Sequence, residues 1–205
     1  MILVVGAHSR NIGKTSLACA IMRATSQLDW TAIKISSNRS GPADAPCWSR
    51  ETIVSGQNDT GRYLSAGARS ARWLRATNEQ LPAALPLLLS VIQSAPNVLI
   101  ESNRIVDLLR PDCYLLALDL SVEDFKDSAH RLAPQADGLV FVDRGGGQTG
   151  WAKTLLPKLK SQLRFHVIPP DYASREIVTE IRQRAHPHSP EQVFPSIATP
   201  ILDYA

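Results

Sequence analysis

The segment ILVVGAHSRNIGKTSLACAIM (residues 2–22) joins an apolar run, a glycine and a helix-like pattern. Gly13-Lys14-Thr15 completes the motif G-x-x-x-x-G-K-[ST], in which a glycine-rich loop holds phosphate groups. The first glycine of that motif is displaced, because His8 stands five residues before Gly13 and the nearest glycine is Gly6. The segment therefore predicts a phosphate-binding loop that is two residues longer than usual.

Such a loop can still bind phosphate, because backbone amides do most of the binding. Gly6 permits a tight turn, and the helix that begins at Lys14 directs free N–H groups and its positive dipole end at the ligand. Lys14 adds a charge for the β- and γ-phosphates, and the Thr15 hydroxyl can coordinate Mg²⁺. The loop side chains expected to donate hydrogen bonds to phosphate are His8, Ser9, Arg10 and Asn11. A chance Gly-Lys-Thr tripeptide after a strand is the alternative.

Short apolar runs alternate with helical patterns along the chain, which is typical of a parallel sheet flanked by helices. The predicted strands are 2–6, 30–36, 97–101, 112–120, 137–143 and 164–170. The predicted helices are 14–27, 79–94, 123–133, 150–162 and 174–185. We therefore predict one α/β domain over residues 1–205, a three-layer sandwich with a mostly parallel sheet and helices on both faces.

Two stretches interrupt this alternation. Residues 37–58 are polar and rich in turn formers, which predicts a long loop or insertion over one end of the sheet. Residues 186–205 contain four prolines and predict an irregular C-terminal tail. Long loops in compact domains are usually functional or disordered.

The composition and charge of the chain limit which binding partners and which cellular location we expect. The net charge of +3 is mild and the basic residues are dispersed, so no nucleic-acid partner is expected. The most apolar stretch, LPAALPLLLSVI, has 12 residues and two prolines, too short to span a membrane. No signal peptide is expected at the N-terminus, and three dispersed cysteines suit a reducing compartment. These features predict a cytoplasmic protein.

Three polar residues close predicted strands, where ligands bind in open α/β sheets. Glu101 ends a run of apolar residues and suits Mg²⁺ coordination, with helix capping or an ion pair as the alternative. Lys34 is either catalytic or part of a structural ion pair, and Asp143 either reads a nucleobase or merely ends a strand. The predicted nucleotide-binding residues are Gly6, His8, Ser9, Arg10, Asn11, Gly13, Lys14, Thr15, Ser16 and Asp143.

Four segments in order resemble the molybdopterin-guanine dinucleotide biosynthesis protein B (MobB) family: VVGAHSRNIGKTSL, TAIKISSN, NDTGRYLSAGARSARWL and NVLIESN. The matching positions are Gly13, Lys14, Thr15, Lys34, Asp59, Thr60, Arg62, Ala66, Gly67, Ala68 and Glu101. The resemblance implies a P-loop NTPase fold of the dethiobiotin-synthetase-like group. It also implies a GTP-binding accessory protein with weak GTPase activity, usually a homodimer, that assists a molybdopterin-pathway nucleotidyltransferase.

The segment that begins at Asp59 allows two interpretations. Asp59 could cap a helix while Arg62 is solvated. Alternatively, Asp59 or Thr60 lies near the γ-phosphate or metal, and Arg62 neutralises phosphate charge. On the second interpretation the Mg²⁺ ligands are Thr15, Glu101 and Asp59.

The leading hypothesis is a slowly hydrolysing, Mg²⁺-dependent GTP-binding accessory protein. Its catalytic residues are Lys14, Lys34 and Glu101. The second hypothesis is an ATP-dependent kinase or ligase of the dethiobiotin-synthetase type, and the third is a nucleotide-binding module without catalysis. No Asn-Lys-x-Asp guanine signature occurs, so both GTP and ATP stay open. A small-molecule pocket beside the γ-phosphate would favour the kinase or ligase.

Overall fold

The computed structural model describes residues 1–37, 45–159 and 162–185. The strands are β1 (Ile2–Ala7), β2 (Trp30–Ser36), β3 (Cys47–Glu51), β4 (Ser70–Arg75), β5 (Asn97–Glu101), β6 (Cys113–Leu118), β7 (Gly138–Val142) and β8 (Leu163–Val167). The helices are α1 (Lys14–Ala24), α2 (Asp59–Ser65), α3 (Leu81–Gln93), α4 (Asp127–Leu132), α5 (Gly150–Leu155) and α6 (Arg175–Arg184). The predicted tail at 186–205 and part of the predicted loop, 38–44, lie outside the described residues.

All eight strands form one sheet in the order β3-β4-β2-β5-β1-β6-β7-β8. Strand β3 is antiparallel to its neighbour, and the other pairs are parallel. Strand β1 lies inside the sheet, and each of its residues is buried, as expected for an apolar strand of a parallel sheet. In the register of the sheet, Glu101 is the partner of both Val5 and Lys34. The carboxyl ends of β1, β2 and β5 therefore meet at one edge.

Side chains alternate between the two faces of β1 and supply two cores. Leu3 and Val5 pack with helices α1, α2 and α6 on one face. Ile2 and Val4 pack with helices α3, α4 and α5 on the other face. This arrangement confirms the predicted three-layer α/β sandwich with a mostly parallel sheet.

The structure differs from the sequence-based prediction between residues 45 and 75. The predicted loop at 37–58 contains β3, and the segment after Asp59 contains a helix and then β4. Strand β4 has the sequence SARWLR, and of its residues only Ala71 and Leu74 are buried. It therefore lacks the continuous run of apolar residues by which the buried strands were predicted. Strand β3 is a partly exposed edge strand with charged residues, a common way of protecting a sheet edge.

Several predicted elements are shorter in the structure. The predicted helices at 123–133 and 150–162 reduce to α4 and α5, each followed by a short 3-10 turn. Across the described ranges, no helix combines the length and apolarity that a membrane crossing requires.

Candidate functional site

The loop between β1 and α1 has the usual length. The backbone N–H of His8 donates to the Ala117 carbonyl at 3.1 Å, so the strand pairing continues through His8. Gly6 therefore belongs to the strand, and His8 takes the position of the first glycine of the motif. The predicted lengthening of the loop by two residues is wrong, because those residues extend β1.

Gly6 serves packing in this strand. The Asn103 side chain accepts a hydrogen bond from Ala7 N at 2.8 Å and donates to Ala7 O at 2.7 Å. A Cβ on Gly6 would lie 2.3 Å from the same Asn103 oxygen. Glycine is needed here for this close approach, so the predicted role of Gly6 in phosphate binding is corrected.

His8 and Ser9 anchor the loop to the protein. The His8 ring is fully buried, with its centroid 5.0 Å from the rings of both Phe125 and Trp151, and burial lowers its pKa. The Ser9 hydroxyl donates to the Asp124 carboxylate. Neither residue is among the described residues that line the adjacent cavity. The prediction that these two side chains donate to phosphate is therefore corrected.

The rest of the loop turns towards a cavity. Asn11 has a φ of 58° and Gly13 a φ of 104°, a region that asparagine tolerates and glycine adopts freely. Ile12, between them, is 1% exposed and fixes the loop in the core. The turn places Lys14 and Thr15 at the start of α1, beside the strand-end residues.

A cavity of about 430 Å³ lies at this edge of the sheet. Its described lining residues are Arg10, Asn11, Gly13, Lys14, Thr15, Ser16, Lys34, Asp59, Arg62, Glu101, Arg144 and Tyr172. Most of the predicted site residues thus come together in one place. Asp143 is not among these lining residues, and its carboxylate accepts from Gly145 N at 2.8 Å.

Glu101 is the centre of a hydrogen-bond network. Its side chain is 4% exposed, and its Oε2 accepts from the Thr15 hydroxyl at 2.7 Å and from the Tyr63 hydroxyl. Lys34 Nζ lies 3.4 Å from Glu101 Oε1 and also pairs with Asp59. A buried carboxylate is tolerated when it is paired and hydrogen-bonded in this way.

The network shifts the pKa values of its members. Burial alone would lower the pKa of Lys34, but Glu101 and Asp59 outweigh burial and raise it. Burial alone would raise the pKa of Asp59, but Lys34, Thr15 and Arg62 together outweigh burial and lower it. Lys34 and Asp59 are therefore both charged at neutral pH.

Lys14 is in a different electrostatic position. Its pKa is lowered first by burial, and Lys34 lowers it further, while Glu101 and Asp59 act in the opposite direction. Within the described ranges, no carboxylate forms an ion pair with Lys14. A half-buried ammonium group that lines a cavity and has no ion-pair partner among the described residues favours an anionic ligand.

Helix α2 decides between the two interpretations of Asp59. The N-cap of the helix is Asn58, whose side-chain oxygen accepts from Gly61 N at 2.6 Å. Asp59 is therefore free to pair with Lys34 and lines the cavity. Arg62 donates to the Ser16 hydroxyl at 3.1 Å and also lines the cavity, so it is not merely solvated.

Arg144 and Tyr172 are lining residues that the sequence analysis missed. Arg144 donates to the Asn11 carbonyl at 2.9 Å and lies 3.4 Å from the Asp119 carboxylate. The Tyr172 ring covers Gly13, where a Cβ would come within 2.6 Å of it. Both residues follow strands, β7 and β8, that end at the same sheet edge. Their positions after two predicted strands could have identified them as candidate site residues.

The site fits Mg²⁺ that is shared with a phosphate ligand. Thr15 Oγ1 and Glu101 Oε2 lie 2.7 Å apart, and the hydroxyl proton points to the carboxylate, so a hydroxyl lone pair is left for a metal. In the described part of the chain, no group of three or more His, Cys, Asp or Glu residues could hold a metal ion. Phosphate oxygens and water would have to complete the coordination shell.

Comparisons with known proteins identify the fold. No protein-family model and no curated protein matches the sequence. The structure is similar to HypB from Helicobacter pylori, solved in complex with nickel, with a TM-score of 0.53 and 12% identity over 90% of this chain and 86% of that chain. LpxK from Aquifex aeolicus, solved in complex with ATP, gives a TM-score of 0.43 and 12% identity over 84% of this chain and 71% of that chain. The chain has the P-loop NTPase fold.

Proposed function

We propose that the protein binds a Mg²⁺-nucleoside triphosphate at Lys14 and Thr15 and slowly cleaves its terminal phosphate. The observation that carries this proposal is the hydrogen bond of 2.7 Å between Thr15 and Glu101, beside a Lys14 that has no ion pair in the described residues. A lysine and a hydroxyl at a helix N-terminus, next to a strand-end carboxylate, are the groups that phosphoryl transfer requires.

Charge supports the same ligand. Lys14, Lys34 and Arg62 line the cavity together with the further cations Arg10 and Arg144. The carboxylates in the described lining are Asp59 and Glu101, so the cavity carries an excess of positive charge. A triphosphate complements such a cavity, and Mg²⁺ would neutralise part of the charge on its β- and γ-oxygens.

The protein's own residues account for the slow chemistry. Lys14 stabilises charge on the transferring phosphoryl group. Thr15 and Glu101 would hold the Mg²⁺ ion, and Lys34 keeps Glu101 and Asp59 in place through its ion pairs. All carboxylates in the described lining are thus engaged, and none is free to activate water strongly.

The nucleobase and the client are assigned from the sequence resemblance. We propose GTP as the preferred nucleotide. The biological role proposed on the same basis is that of an accessory protein, as a homodimer, for a nucleotidyltransferase of molybdopterin guanine dinucleotide synthesis. The candidate base contacts are assigned from their positions instead: Asp143 follows β7, and Tyr172 lines the cavity.

A second candidate function is phosphoryl transfer to a small molecule. A cleft of about 760 Å³ adjoins the first cavity and shares Arg10, Lys14, Lys34 and Glu101 with it. A small-molecule pocket beside the γ-phosphate would support an ATP-dependent kinase or ligase, and we propose this cleft as that pocket. Both carboxylates in the described lining of this cleft, Glu101 and Asp107, are engaged in hydrogen bonds and ion pairs, so the acceptor in this reaction would have to be anionic already.

Phosphate release from Mg²⁺-GTP and Mg²⁺-ATP tests the proposal. We expect slow release by the wild type and a rate at least about tenfold lower in Glu101→Gln, since the metal shell loses its carboxylate. The control is Glu123→Gln, which removes the same charge from an exposed position. Equal rates in Glu101→Gln and the wild type would refute the assignment. ATP turnover that needs an added small acid would select the second candidate.

A further inference from the structure

The cleft beside the nucleotide cavity contains cations that the proposed function does not use. Arg104, Arg131 and Lys126 line the cleft and are absent from the lining of the nucleotide cavity, as far as the described residues show. Arg131 donates to both oxygens of Asp107, at 2.6 and 2.7 Å, so these two charges neutralise each other. Arg104 and Lys126 are left to act on a ligand.

Arg104 is fixed in position with one nitrogen unused. Its Nη1 donates to the Ala76 carbonyl and to Asn78 Oδ1, both at 3.0 Å. Its Nη2 is buried and has no hydrogen-bond partner among the described residues. A buried donor without a partner is uncommon in proteins and calls for a specific explanation.

Ser102 presents a second unused polar group in the same cleft. The residue is 4% exposed, and its hydroxyl is buried without a partner in the described part of the chain. Ser102 directly follows Glu101, so it lies at the carboxyl end of β5, beside the nucleotide cavity. Together with Arg104, it supplies hydrogen-bond donors for an acceptor that enters the cleft.

Lys126 extends the positive charge towards the phosphate loop. Burial lowers its pKa, and repulsion by Lys14 and Arg10 lowers it further, while Asp124 acts against them. Arg10, Lys14 and Lys126 all line the cleft, so an anion that binds between them relieves the repulsion that Lys126 experiences.

The geometry points to a second binding site, for a small organic oxyanion such as a carboxylate or a phosphate ester. Arg104, Ser102 and Lys126 bind its charged group, and the apolar side chains of Leu81 and Pro82 contact its body. The inference rests on the proposed function in one respect: Lys14, Lys34 and Glu101 line both cavities, so the oxyanion lies beside the γ-phosphate.

Titration calorimetry with two simple probes tests this site. The protein is first saturated with Mg²⁺ and a β,γ-imido nucleotide, and saturation is verified for each variant. Orthophosphate and malonate are then titrated separately, so that the phosphate and carboxylate chemistries are distinguished. The variants are Arg104→Gln and Lys126→Gln, and the control is Arg69→Gln, whose exposed side chain pairs with Asp29 on another surface.

We expect at least one probe to bind the wild type and the control with the same Kd. The Kd should rise about tenfold or more in Arg104→Gln and in Lys126→Gln, because each loses a charge-assisted hydrogen bond. No heat with either probe, or an equal Kd in all variants, would overturn the inference.

A second titration separates this inference from the proposed function. Orthophosphate is titrated into Lys14→Ala without nucleotide, and into the double variant with Arg104→Gln. Binding that persists in Lys14→Ala and weakens about tenfold in the double variant supports the cleft site, even if no nucleotide binds the wild type. Equal binding in both proteins would overturn it.

Discussion

Glu101 shows how single residues define the site. Its buried carboxylate receives hydrogen bonds from Thr15, Tyr63 and Lys34. Tyr63 is itself fully buried, and burial together with Glu101 raises its pKa well above the usual value. The neutral phenol is therefore a permanent donor that holds Glu101 towards Thr15.

Replacing Tyr63 by Phe should destabilise the protein by about 1.5–3 kcal/mol, the usual cost of a hydrogen bond to a charged group. Urea unfolding measures this change. The matched control is Tyr114→Phe, because the Tyr114 hydroxyl is equally buried but has no partner among the described residues. The control should change the free energy of unfolding little. Equal losses in the two variants would show that Tyr63 contributes packing alone.

The sequence predicted some of these residues and missed others for a physical reason. Lys34 and Glu101 could be predicted because each lies at or near the end of an apolar strand, and strand ends of a parallel sheet meet at one edge. Arg144 and Tyr172 lie in loops, where the path of the backbone depends on long-range contacts. His8 was misassigned because periodicity alone does not show that strand pairing continues past Gly6.

Helix α2 is the element that brings side chains of three kinds to the site. Asp59 and Arg62 line the cavity, and Tyr63 holds Glu101. The helix has only seven residues, and its first turn depends on the Asn58 cap. A change that destabilises this short helix would therefore also displace the three side chains that it contributes to the ligand site.

Asn58→Ala should cost about 0.5–2 kcal/mol, as is usual for the loss of an N-cap. Ser174→Ala is the comparison at the N-cap of α6, where the cap bond is 3.4 Å long instead of 2.6 Å. We expect the smaller loss at Ser174, measured by urea unfolding. A larger loss at Ser174 would contradict the role given to the Asn58 cap.

Strands β3 and β4 mark the limit of sequence-based prediction at the level of elements. The six predicted strands are apolar runs, and each corresponds to a strand of the sheet. Strand β4 carries Arg72 between its two buried residues and Arg75 after them, and within the described part of the chain β3 is an edge strand whose one neighbour is β4. Strands at or next to the edge of a sheet depend on their neighbours more than on their own composition, so the pattern of apolar residues did not reveal β3 and β4.

At the scale of the whole molecule, the parallel sheet joins the ligand site to both cores. Strand β1 contributes side chains to both cores and leads directly into the phosphate loop. Any ligand that binds the folded loop but not the unfolded chain therefore stabilises the entire domain.

A Mg²⁺-imido nucleotide at about 100 times its Kd should add about 2.7 kcal/mol and raise the Tm by about 5–10 °C. Thermal unfolding followed by circular dichroism measures the shift. Chelation of Mg²⁺ with EDTA at the same nucleotide concentration should reduce it, because the Thr15–Glu101 pair is assigned to the metal. An equal Tm shift with and without EDTA would show that nucleotide binding does not require Mg²⁺.

The most direct test of nucleotide binding is calorimetric titration of Mg²⁺-bound imido analogues of GTP and ATP. Wild type, Lys14→Ala and Lys153→Ala are compared, the last removing an exposed lysine on α5 as the matched control. We predict binding to the wild type and to the control, with a Kd about tenfold or more higher in Lys14→Ala. Absence of binding to the wild type, or equal affinity in Lys14→Ala, would contradict the assignment of this loop as a nucleotide site.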